Sequence, residues 1–274
     1  MELNGTGISA QTISMYRMIY LLPLLFIFCN EANFDSSFLA PPLNKKQTLV
    51  QKKFADNTWQ RFLQHLPHQN KPVVDFTGKK IDDQQKHFAI LLYDVGIKDL
   101  QQCADALMRL RAEYLFSQQR FDEIKFLFTN GTWFSFSQYC RGLRPVLQNG
   151  KLLWKQKQRV SFDYGSLRNY LDIVYCFAGT ASLSKQLTKA EDFAVGTIII
   201  KPGSPGHCMI IIDEVADRFG RRFFKLAEGF MPAQSIYILR NPEILESSPW
   251  YSLKPGEIIT SSYHFKKYLL LKFE

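Results

Sequence analysis

The chain has 274 residues, 46% hydrophobic and 22% charged, proportions that exclude the disordered and collagen-like classes. At this length a core forms without disulfide staples. A formal net charge of +9 would suit an anionic polymer or a membrane surface, but the densest basic groups, Lys45, Lys46, Lys52 and Lys53 and then Lys151, Lys155, Lys157 and Arg159, stand in no nucleic-acid-binding motif. They are read as solvated surface, and no nucleic-acid partner is expected.

Residues 19–28 form an uncharged apolar run preceded by Arg17 and stopped by Asn30, Glu31 and Asn33. The run falls well short of the roughly 20 apolar residues a membrane span needs, and matches the core of a secretory signal. Met15 and Met18 are alternative starts that would leave out the first residues. Cys29 follows the run directly, where a lipoprotein carries its lipid, although Phe28 is bulkier than the small residue usual there. Lipid anchoring and simple secretion both stay open, with an uncleaved anchor as the third reading. The predicted organisation is an export segment over residues 1–32, a polar linker over 33–47 with Pro41-Pro42, and a single domain over 48–274. The expected location is the periplasm or the outer membrane, with membrane contact only through a lipid on Cys29. Cys103, Cys140, Cys176 and Cys208 would then meet an oxidising compartment, and their pairing is not readable from sequence.

The first predicted helix covers residues 54–66, with Phe54, Trp59, Phe62, Leu63 and Leu66 on one face and Pro67 as its stop. Residues 88–95, apolar except Asp94, read as a strand buried on both faces. Asp99 is then a candidate cap for a helix with Leu100, Cys103, Ala104, Leu107, Leu110 and Tyr114 on one stripe. Asn130-Gly131 between two β-rich runs predicts a hairpin, because Asn-Gly supplies the positive φ angles of a tight turn. A helix beginning at Ser166 places Leu167, Tyr170, Leu171, Val174 and Tyr175 together and breaks at Gly179. Thr180 or Ser182 caps a further turn to Leu187. Short β-rich runs follow over 195–200, 207–213, 222–226, 235–239 and 268–273. Their short connections require antiparallel pairing, so the fold class is α+β, an antiparallel β-meander with packed helices.

Four segments in this order resemble an uncharacterised family of exported Bacteroidota proteins, the domain of unknown function 4846: residues 98–106 (Lys-Asp-Leu-Gln-Gln-Cys-Ala-Asp-Ala), 178–183 (Ala-Gly-Thr-Ala-Ser-Leu), Pro205-Gly206-His207, and Met231-Pro232-Ala233-Gln234. The resemblance implies a compartment and no reaction. A helix bearing Cys103, a strand entered through Gly206-His207 and another ending at Glu228 also resemble the papain-like cell-wall peptidases of the NlpC type. That likeness implies a papain-like core, with Cys103 as nucleophile, His207 as base and Glu228 as the group orienting the imidazole. A free thiol, with a pKa near 8.5, is only about 3% thiolate at pH 7, so such chemistry needs the imidazole close by. The sequence departs from the pattern where Gln-Cys-Ala-Asp replaces Asp-Cys-Ser-Gly, where Cys103 sits a full turn past Asp99 within an apolar stripe, and in its long separation from His207. A buried structural cysteine therefore stands as the competing reading.

Gln234 and Trp250 are candidate ligand-binding residues, and with His207 they define the alternative function: a non-catalytic envelope module that binds a glycan or peptide. Ser182 lacks the Gly-x-Ser-x-Gly elbow of a nucleophile and reads as a cap. His65 and His68 have no further ligand nearby, and no phosphate-cradling glycine motif is present, so neither a metal nor another cofactor is expected.

Overall fold

The computed structural model describes residues 49–243 and 248–274, which lie in the compact unit Pro41–Glu274. The export segment, Cys29 and the polar linker lie outside the described residues.

The main sheet is antiparallel throughout, and six of its strands carry the argument: β1 (His87–Leu91), β2 (Thr197–Lys201), β3 (His207–Ala216), β4 (Arg222–Glu228), β5 (Tyr237–Leu239) and β6 (Leu269–Lys272). They lie side by side in the order β1-β5-β4-β3-β2-β6, so the consecutive strands β2 to β5 form the expected meander. Short strands at His68–Gln69 and Thr188–Lys189 border the two ends of this row. The mixed α+β class is as the sequence predicts.

Both faces of the sheet are covered. Ile198, Ile200, Cys208, Ile210, Ile212, Ala227 and Ile238 face one apolar cluster, and Ile199, Met209, Ile211, Phe224, Leu226, Tyr237 and Leu239 face a second one with Phe193, Tyr251 and Phe265. A strand packed on both sides needs apolar residues at successive positions, which is why residues 208–212 show no alternation.

The described residues form five α-helices: α1 (Trp59–Gln64), α2 (Cys103–Ser117), α3 (Phe136–Cys140), α4 (Tyr164–Phe177) and α5 (Thr180–Gln186). Thr58 caps α1 and Asp163 caps α4, each accepting a hydrogen bond from a first-turn N–H. Helix α4 buries the predicted Leu167, Tyr170, Leu171, Val174 and Tyr175. Helix α2 departs from the expected stripe, since every residue from Cys103 to Leu115 is buried. Its charges are held inside: Arg109 is fully buried, donating to Glu113 at 2.5 Å, Gln101 at 3.1 Å and Tyr164 at 2.8 Å.

The predicted hairpin is present as Lys125–Leu127 against Trp133–Ser135. Only Gly131 of its turn has positive φ, however, and the Asn130 side chain instead accepts from the Thr132 N–H. A second hairpin, Leu143–Gln148 with Lys151–Gln156, turns at Asn149-Gly150, where both residues have positive φ.

Candidate active site

Cys103 is the first residue of α2, and the cap is Gln102 rather than Asp99. The Gln102 N–H donates to Asp105 Oδ2 at 3.0 Å, while Asp99 accepts from the Ala233 N–H at 2.7 Å and from Gln102 Nε2 at 3.2 Å. Asp99 thus ties the loop before α2 to the segment after β4. The correction matters chemically, because a residue in the first turn has an N–H without an intrahelical acceptor and sits at the positive end of the helix dipole.

His207 opens β3 directly after Gly206, where a side chain has no room: a Cβ there would lie 2.2 Å from Thr180 Oγ1 and 2.4 Å from the Gly203 carbonyl. The His207 Nε2 is 2.7 Å from Glu228 Oε2, and the Tyr237 hydroxyl donates to Glu228 Oε1 at 2.5 Å. Glu228 and Tyr237 are register partners across β4 and β5, so the pleat points both side chains to one face. The imidazole is enclosed by the Tyr263 ring, stacked at 4.6 Å, and by Phe230 at 5.2 Å and Phe265 at 5.8 Å. With Nε2 committed to Glu228, Nδ1 is the nitrogen left for Cys103.

The sulfur of Cys103 lies within side-chain hydrogen-bonding reach of both Cys208 and His207. The Cys208 thiol is the largest influence on it. Burial opposes ionisation, His207 favours it again, and the balance brings the Cys103 pKa down to about 5. For His207, burial is the largest influence and acts downward, but hydrogen bonds and charge from Cys103 and Glu228 outweigh it and raise the pKa to about 9. Between these values the pair rests as thiolate and imidazolium. Burial pushes the Cys140 thiol up to about 11 and the Cys208 thiol well above its ordinary value, and Cys176 is also raised, so the low value is specific to Cys103. All four cysteines among the described residues are free. Cys208→Ala is expected to move the midpoint of Cys103 alkylation upward from about 5, as read by the pH profile of iodoacetamide labelling; an unchanged midpoint would contradict the thiol-to-thiolate contact.

The structure thus brings Cys103, His207 and Glu228 into one chain of contacts. Cys208 and Tyr237 complete that chain and carry no motif that singles them out in the sequence. Gln101, just before the cap, has a buried Nε2 with no hydrogen-bond partner.

Gln234 is 2% exposed, its Oε1 has no partner, and its backbone bridges to Asp75. Trp250 lies elsewhere, beside Lys225 on β4, whose ammonium sits 4.4 Å over the indole. Ser182 hydrogen-bonds the N–H and carbonyl of Gly179 at the start of α5. His65 and His68 each bond a nearby backbone carbonyl, and among the described residues no cluster of three or more His, Cys, Asp or Glu side chains could hold a metal. A cavity of about 510 Å³ between Asp192, Phe193, Glu257, Lys267 and Tyr268 includes none of the five candidate site residues.

A family model described as a domain of unknown function (4846) matches residues 41–272. The chain belongs to this family. The match takes in every residue of the Cys103 site, from Asp99 to Phe265. No curated protein and no solved structure matches the chain.

Proposed function

We propose that this member of the domain of unknown function 4846 family is a cysteine hydrolase of peptide or amide bonds with a papain-like site, acting after export across the cell envelope. The observation that carries the reading is the joint placement of Cys103 at a helix start, its sulfur against His207, and His207 against a Glu228 fixed by Tyr237. Structural cysteines are packed to stay protonated, whereas here the surroundings favour the thiolate. The export part rests on the apolar run at residues 19–28.

The chemistry follows from the contacts. The Cys103 thiolate attacks the scissile carbonyl, forming a carbon–sulfur bond, and the oxyanion finds the free N–H at the start of α2. The His207 imidazolium gives its proton to the departing amine as the carbon–nitrogen bond breaks, leaving a thioester. Neutral imidazole then takes a proton from water, hydroxide attacks the thioester, and carboxylic acid and thiolate are released. Glu228 accepts from Nε2–H throughout, holding Nδ1 toward the sulfur.

The test is a panel of murein peptides and simple peptide amides. The wild-type protein is expected to release amine and to show an acyl adduct on the Cys103 peptide by mass spectrometry. The Cys103→Ala protein is expected to do neither. Retention of full activity by Cys103→Ala overturns the reading.

A further inference from the structure

We infer that the site prefers substrates bearing a carboxylate beside the scissile bond, attracted by the ammonium of Lys201. The inference rests on the proposed thiolate chemistry of Cys103 and adds the charge class of what that thiolate meets. Lys201 ends β2 and is the register partner of His207, so the two side chains leave the sheet on the same face. Its Nζ lies 3.5 Å from the Tyr263 hydroxyl, and Tyr263 is the ring stacked on the imidazole. Among the described residues no carboxylate stands within ion-pair distance of Lys201; its polar neighbour is that phenol.

The surroundings support a preference for anions. A second ammonium, Lys86, sits 5.6 Å over the Phe230 ring, on another side of the aromatic shell around His207, and is paired with Asp83 at 3.5 Å. Two carboxylates near the site are occupied: Glu228 accepts from His207 and Tyr237, and Asp99 from the Ala233 N–H and Gln102. Asp105 accepts from the Gln102 N–H through Oδ2, and its buried Oδ1 has no partner. Beside an apolar, partly dehydrated wall, a unit charge is screened less than in open water. A neutral substrate leaves the Lys201 charge unanswered, and an anionic one answers it.

The experiment compares alkylation of the full chain by iodoacetate, an anion, and iodoacetamide, its neutral isostere, at pH 7, with rates read separately at each cysteine by peptide mass spectrometry. Both reagents meet the same thiolate, so the ratio of their rates cancels its intrinsic nucleophilicity. The exposed Cys176 serves as the reference within the same molecule. The iodoacetate-to-iodoacetamide ratio at Cys103 is expected to exceed that at Cys176. Lys201→Met is expected to lower it by roughly three- to tenfold, with the iodoacetamide rate and the Cys176 ratio unchanged, while Lys201→Arg keeps it high. An equal ratio in wild type and Lys201→Met, with Cys103 still labelled by iodoacetamide, overturns the charge preference and leaves the hydrolase reading standing. A Cys103 that neither reagent labels overturns both.

Discussion

In a His207→Ala protein, the midpoint of Cys103 alkylation is expected to rise from about 5 to within a unit or so of the ordinary thiol value of ~8.5. Amide turnover is expected to fall roughly 10²- to 10⁴-fold with loss of the general acid. The midpoint, not the rate at one pH, is the quantity to measure: a thiolate of lower pKa is intrinsically a weaker nucleophile, so a smaller thiolate fraction in the variant is partly offset by greater reactivity. In the wild type the sign is fixed by the two shifts. Cys103 is depressed, so the reactive thiolate forms as pH rises through about 5; His207 is raised, so the proton needed by the leaving amine is lost as pH rises through about 9. The profile of kcat/KM is therefore expected to be a bell between those limits. A midpoint that stays near 5 after removal of His207 would falsify the ion pair.

Gly229→Ala is expected to destabilise the fold by about 1–3 kcal/mol and to raise the Cys103 midpoint at the same time. A Cβ at Gly229 would lie 2.8 Å from the Ala106 Cβ and 3.0 Å from the Gln102 carbonyl oxygen. Neither neighbour is the end of a flexible side chain; one belongs to the body of α2 and the other to its cap. Relief must come from moving the helix start away from the end of β4, which carries Cys103 from His207. Gly165 is the control, because its Cβ would meet only Asp163 Oδ1 at 3.5 Å and it lies within α4; alanine there is expected to be neutral or stabilising. Urea denaturation of both variants, beside alkylation profiles, separates the cases. An unchanged Cys103 profile in a destabilised Gly229→Ala protein would show that the spacing serves stability alone.

Much of this arrangement was legible in the sequence because it depends on local pattern. The strands at residues 207–213 and 222–226 lie within β3 and β4, which extend further at their C-terminal ends to Ala216 and Glu228. The start of α2 was misplaced for a physical reason: Asp is a favoured capping residue, but the carboxylate of Asp99 is taken by the Ala233 N–H, far away along the chain. No local rule sees that competition. The hairpin at Asn149-Gly150 had the same signal as Asn130-Gly131, but its strand Lys151–Gln156 is largely exposed and lysine-rich, so the basic residues read as solvated surface rather than as a strand. Cys208 and Tyr237 were hidden for a different reason. Each sits among apolar strand residues, and its role depends on a partner supplied by another element, Cys103 from α2 and Glu228 from β4.

The enclosure of the imidazole sets a size limit on what can react. Cys103 is 9% exposed and His207 only 4%, with Tyr263 lying flat against the ring. A globular surface cannot bring a backbone carbonyl to so recessed a sulfur. Under the proposed hydrolase function, so recessed a sulfur suits a thin, unfolded segment or a chain terminus, and an intact folded protein is expected to be spared.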